Sequence, residues 1–168
     1  MKLTRRKWLA AASGIVATLS AGASFASSHA IKVSLWDKGD DAMRMLGHGP
    51  MMGMGAMDHD MSMMMMGIQM SSHHVSSGEV TFKVINTSKK MVHEMVISPI
   101  KDTNTPLPYD QATNRINEDA AGHLGEVAEL EPGKTGVLTL TLKPGQYVLY
   151  CNVAGHYALG MWTLLTVK

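Results

Sequence analysis

Apolar and polar side chains alternate over most of the chain from residue 79 onward, the pattern of strands with one buried face. Residues 79–85 place Val80, Phe82 and Val84 on one side, and 31–36 repeat the pattern earlier in the chain. Further strands are expected over 67–72, 91–97, 125–130, 135–142, 146–151 and 162–167. In 146–151, Tyr147, Leu149 and Cys151 share a face, so the thiol enters from the core side at the strand's end. Glu131-Pro132-Gly133 and Lys143-Pro144-Gly145 separate apolar runs as turns, and 86–90 is a third. Residues 98–125 read as a long connection in which Pro99, Pro106 and Pro108 forbid regular pairing. One or two helical turns are expected over 117–121. The chain is all-β.

The one cysteine stands at the close of that pattern, in Cys151-Asn-Val-Ala-Gly-His156-Tyr-Ala-Leu-Gly-Met161. Each residue taken singly is ordinary packing. Together, a thiolate, an imidazole and a thioether on one loop are three of the four donors of a mononuclear electron-transfer copper site. Gly155 and Gly160 permit turns just before His156 and Met161. The fourth donor is a second imidazole, and His93, on the strand 91–97, is the candidate for it. His123, in the long connection, reads as a solvated turn residue.

The chain's beginning differs in kind. Lys2, Arg5, Arg6 and Lys7 precede a short apolar stretch over 9–19, and Ser24-Phe25-Ala26 offers a small-x-small cleavage site. Residues 1–26 are therefore expected to be a secretory signal peptide, too short in its apolar part to span a bilayer. Thr4-Arg5-Arg6-Lys7-Trp8-Leu9 resembles a twin-arginine signal, and a cut after Ala30 stays open. Four of the 15 Lys and Arg and none of the 14 Asp and Glu lie in this segment. The remaining chain thus has 11 basic against 14 acidic residues, a net −3. No basic patch for nucleic acid and no membrane span is expected. Residues 27–168, about 140 of them, suit a single domain. One cysteine forms no internal disulfide, and an unpaired thiol in an oxidising compartment points to a metal.

Within that domain, 42–74 is a Met/His-rich low-complexity stretch. Twelve of the 16 methionines lie between Met43 and Met70, with five glycines, Pro50, His48 and His59, and His73 and His74 follow. The methionines are either core or a flexible insertion after the first strand. Glycine and proline oppose a helix, and the run Met61 to Met66 has no amphipathic period. Thioethers are soft, select Cu(I) and need no deprotonation, so the expectation is additional Cu(I) bound on this stretch.

Val92-His93-Glu94-Met95-Val96-Ile97, Leu130-Glu131-Pro132-Gly133 and the run from Tyr150 to Trp162 resemble the cupredoxins, the plastocyanin and azurin family. The likeness spans 31–168 apart from the methionine-rich insertion. It implies a Greek-key β-sandwich holding one type 1 copper, cycling between Cu(I) and Cu(II), at one end. It assigns His93, Cys151, His156 and Met161 as ligands, on a loop longer than plastocyanin's. By the same resemblance His156 reaches the surface through an apolar patch with Ala154, Ala158 and Leu159, and conducts the electron. Many members carry Asn after the first ligand histidine, where it ties the ligand loops together; here that residue is Glu94. With the methionines included, the likeness is to small periplasmic cupredoxins associated with bacterial copper tolerance. The expected function is periplasmic copper binding and redox handling in copper homeostasis. The alternative is a soluble electron carrier between periplasmic partners such as a cytochrome; a copper chaperone is a third class. No enzymatic activity is expected, since four ligands leave no place for a substrate.

Overall fold

A computed structural model describes residues 29–45 and 64–168. The expected signal peptide with its cleavage sites, the middle of the methionine-rich stretch, His48 and His59 lie outside the described residues.

Eleven strands form among these residues. In the first sheet β1 (His29–Asp37) lies between β2 (Met66–Met70) and β4 (Gly78–Asn86), with β9 (Thr135–Leu142) beyond β4. In the second, β3 (His74–Val75), β11 (Trp162–Val167), β10 (Gly145–Tyr150), β5 (His93–Ile100) and β8 (Gly125–Leu130) lie side by side in that order. A two-strand ribbon, β6 (Tyr109–Asp110) and β7 (Arg115–Ile116), and a four-residue helix, α1 (Glu118–Ala121), sit in the 98–125 connection. Between the two sheets the chain changes over from β2 to β3, from β3 to β4, from β4 to β5, from β8 to β9 and from β9 to β10. A β-sandwich results, as expected.

The period-two pattern explains the core. Ile31, Val33 and Leu35 of β1 and Val80, Phe82 and Val84 of β4 meet Met95, Ile97, Tyr147, Leu149 and Leu165 of the second sheet, with Cys151 just beyond β10. That sheet is covered on its other face too. Val96, Val148 and Tyr150 point away from the sandwich and pack against Leu107, Ile116 and Tyr157. The long connection is therefore a second layer, and β5 is buried from His93 to Ser98 on both faces. A strand buried on both sides reads as an apolar run rather than an alternation.

Two expectations change here. β5 runs on through Pro99 to Ile100, opposite Tyr147 and Gln146. Its partner on the other side, β8, ends opposite Ile97, so Pro99 lies where the strand has become an edge, the position that tolerates a missing N–H. Second, the ends of the methionine-rich stretch belong to the fold. Met66 and Met70 are core residues of β2, and Met43 and Met65 pack against the same core. β2 needs apolar side chains on its inner face, and methionine supplies them. Gly67 has its own reason: a Cβ there would lie 2.9 Å from Trp36 Cζ2, so glycine lets the cross-strand indole lie over β2.

Candidate metal centre

The loop between β10 and β11 folds back on itself through its own backbone. The Cys151 N–H donates to the Met161 carbonyl at 3.0 Å, and the Met161 N–H to the His156 carbonyl at 3.0 Å. Between them Tyr157–Leu159 makes one 3-10 turn. Gly155 (φ 84°) and Gly160 (φ 90°) flank it in the left-handed region that favours glycine. The loop therefore brings Cys151, His156 and Met161 to one end of the sandwich, all buried.

His93 arrives from β5. Its Nδ1 lies 3.2 Å from His156 Nδ1, which is in turn 3.3 Å from Cys151 Sγ. The three donor atoms lie within 4.8 Å of one another. Met161 shares the core cluster that contains Cys151. His93, Cys151 and His156 are thus brought to one place, and His123 is exposed.

Electrostatics suit a cation. Burial lowers the His93 pKa, and burial with the neighbouring His93 lowers that of His156 to about 4. Both rings are accordingly neutral near pH 7, with lone pairs available. His93 Nε2 donates to Asp37 Oδ2 at 2.8 Å, which leaves the lone pair on Nδ1, the nitrogen facing Cys151 and His156. Burial pushes the Cys151 thiol up to about 12. A thiolate there needs a positive charge beside it, and metal binding with proton release supplies one. The Glu94 N–H points at Cys151 Sγ, 3.5 Å away, a donor that favours the ionised sulfur. These donors fit copper: one soft thiolate and two neutral imidazoles converging in a dry pocket.

Three supporting residues escaped the sequence reading. Asp37, the last residue of β1, orients His93. Asn152 locks the ligand loop to the connection: its Oδ1 accepts from Ile116 N–H at 2.6 Å, and its Nδ2 donates to Ile116 O and Glu118 Oε1. Its signal was its place directly after the cysteine. Asn86 ties the β4–β5 turn to β8 by donating to Met91 O and Leu130 O.

Glu94, the sequence's departure from the family's Asn, is buried, and His156 differs from what the resemblance implied. The Glu94 Oε1 is buried without a hydrogen-bond partner among the described residues, and Asn152 fastens the loop to the 98–125 connection. His156 is only 3% exposed, so it does not reach the surface. The 3-10 turn Asp40–Met45 packs against the turn Tyr157–Leu159 and closes this end, with Ala42 fully buried.

A sandwich with a buried His-Cys-His group at one end defines a mononuclear copper protein. The family model described as copper binding proteins, plastocyanin/azurin family, matches residues 55–168. The chain belongs to that family, and its His-Cys-His group is that of one type 1 copper. Among solved structures, rusticyanin from Thiobacillus ferrooxidans is similar at 16% identity, covering 85% of this chain and 79% of that one, with a TM-score of 0.53. Reduced rusticyanin gives the same TM-score over 85% of this chain and 81% of its own. Reduced auracyanin from Roseiflexus castenholzii is 23% identical over 59% of this chain and 86% of that one, at a TM-score of 0.42. At these identities the rusticyanin structures show the fold. No curated protein matches the sequence. No helix among the described residues is long and apolar enough to cross a membrane.

Proposed function

We propose that this is an exported, periplasmic copper-handling protein serving copper tolerance. It holds one copper with His93 Nδ1, Cys151 Sγ, His156 Nδ1 and the Met161 thioether, and captures further Cu(I) on its Met/His-rich stretch. Bound copper supplies one-electron exchange between Cu(I) and Cu(II). The protein's own groups keep the imidazoles neutral, aim the lone pairs and exclude water. It acts by binding and electron exchange, not by turning over a substrate.

The observation that carries this reading is where the methionine-rich stretch is rooted. It leaves from Asp37 and returns at Met66, and these two residues are paired across β1 and β2. The Lys38 N–H donates to Met65 O at 2.8 Å, and the Asp37 carboxylate holds His93. The stretch thus starts and ends beside the copper centre, and its stem lies over the loop carrying His156. Captured Cu(I) is thereby delivered next to a redox-active site. A dedicated electron carrier gains nothing from a methionine-rich stretch rooted there.

Replacing residues 46–63 by a Gly/Ser linker keeps the core methionines and removes the rest. Cells carrying that variant are expected to lose copper tolerance, and unchanged growth on copper would defeat the proposal. An anaerobic Cu(I) titration of Cys151→Ala supplies the molecular readout. Tight residual Cu(I) supports capture. None, together with rapid electron exchange with a periplasmic cytochrome, would make the protein a carrier.

A further inference from the structure

The outer face of the first sheet, turned away from the core, carries a trough of about 570 Å³ lined by residues of all four of its strands. Strand register sets its floor. Side chains alternate between the two faces of a sheet, so register partners on the outer face stand side by side. In one row Lys32 of β1 lies opposite Lys83 of β4, and Lys83 opposite Val137 of β9. In the next, Gln69 of β2 lies opposite Ser34, Ser34 opposite Ile85, and Ile85 opposite Thr135. Two cations thus stand beside two aliphatic side chains, Ile85 and Val137, which are 39% and 66% exposed.

Both features are unfavourable while the face is bare. Like charges directly opposite each other on neighbouring strands repel. Among the described residues, no acidic side chain lines the trough to offset them. Of the three large hydrophobic side chains exposed among the described residues, two lie here, the third being Leu124. Such a cluster marks an interaction surface more often than a scattered apolar residue does.

The spacing defines what fits. The stems of Lys32 and Lys83 are rooted about 4.8 Å apart, the usual separation of paired strands, so one carboxylate can sit between their ammonium groups. Lys83 and Ile85 are two residues apart on one face of β4, roughly 6.6 Å at the usual rise. Side chains on one side of an extended peptide have that same spacing. A segment running along β4 therefore sets a carboxylate on the lysine pair and, two residues on, an apolar side chain against Ile85.

We propose that this trough docks an extended acidic segment of a partner protein, with a carboxylate and an apolar side chain two residues apart. A second copy of this chain meeting it face to face is disfavoured, because a two-fold contact would bring four lysines together. Two lysines also fall short of the roughly four to eight basic residues that hold a protein on an anionic bilayer. Lys32 is five residues along β1 from Asp37, roughly 16 Å, so a docked segment leaves the copper ligands untouched. Docking here is independent of how the copper is used.

The test titrates isotope-labelled protein, loaded with copper and kept as Cu(I), with a blocked peptide of repeated Glu-Ser-Leu-Ser and with its Lys-Ser-Leu-Ser counterpart. The glutamate peptide should shift the amide signals of Lys32, Ser34, Lys83, Ile85 and Val137 saturably, and the lysine peptide should not. Lys32→Glu combined with Lys83→Glu should weaken binding roughly 10-fold or more and transfer the preference to the lysine peptide. Val137→Ser should weaken it roughly 3-fold at unchanged charge. The thiolate-to-copper absorption of the oxidised variants reports an intact fold, so an exchanged preference is not a folding defect. No saturable shift with the glutamate peptide, or equal shifts with both, would overturn the proposal. So would flotation with phosphatidylglycerol vesicles in place of peptide binding, which would make the face a membrane contact. A dimer in sedimentation equilibrium that the double variant dissociates would make it a self-contact and overturn the proposal equally.

Discussion

Two connections close the copper end of this sandwich, and they are built on opposite principles. The Cys151–Met161 loop has its ends bonded to each other, a 3-10 turn between two left-handed glycines, and Asn152 pinned to the Ile116 backbone. The connection from Asp37 to Met66 has a stem whose few methionines are core, and a middle rich in thioethers. A site that must serve two oxidation states needs donors whose positions do not change, so the first loop spends its sequence on positioning. Under the proposed function, capture of a soft ion needs only enough soft donors, and the thioethers of this sequence supply them. Asp37 belongs to both, as the root of one connection and the orienting partner of a donor facing the other.

The comparison can be broken most severely at Cys151. Cys151→Ala should abolish the intense thiolate-to-copper absorption altogether, while metal-free stability changes by no more than about 2 kcal/mol. Thermal unfolding beside the visible spectrum checks both. The two kinds of methionine can be separated next. Met66→Ala is expected to cost about 2–5 kcal/mol, because it empties a fully buried position. Met57→Ala should leave stability within about 0.5 kcal/mol and reduce Cu(I) uptake instead. Equal stability losses at both would erase the distinction between stem and capture stretch.

Asp37→Ala tests the shared residue. It frees His93 Nε2 and should weaken copper binding about 10–100-fold, read by competition with a chelator. An unchanged affinity would show that packing alone orients the ring.

Glu94→Gln comes last, and the size of its effect depends on pH. Burial, then the neighbouring Glu118, Glu126 and Glu129, raise the Glu94 pKa from 4.5 to about 7. Between those values the folded protein holds a proton that the unfolded chain has lost. Stability therefore falls as pH rises through the window, and the deficit is complete above about pH 7. Glutamine removes it. The variant should be more stable by about 2 kcal/mol at pH 8, with a smaller gain at pH 5, in denaturant titrations of metal-free protein. A gain independent of pH would trace the effect to packing.

Most of the sandwich was legible because its strands are buried on one face and alternate accordingly. Residues 125–130 and 135–142 match β8 and β9 end to end. The candidate ligands were legible for a different reason: three of them share one loop, whose donor types and spacing are local facts. β5 was harder to bound. It is buried on both faces by a layer formed from the long connection, and nothing local reveals that Pro99 falls at an edge. The methionines at the ends of the biased stretch had the composition of the rest, and only the pairing of β1 with β2 separates them as core.

By itself, then, the sequence determined the strand pattern, the loop and the chemical character of its donors, since all of these follow from side chains near one another in the chain. Tertiary structure alone decided what surrounds those donors. Asp37 meets His93 across 56 positions, and Asn152 meets Ile116 across 36. The stem after β1 packs against the turn that follows His156, and Glu94 is buried beside the site with its Oε1 unpaired among the described residues. Hydrogen bonding and desolvation act through space, over a few ångströms, and which groups come that close is set by how the two sheets pack.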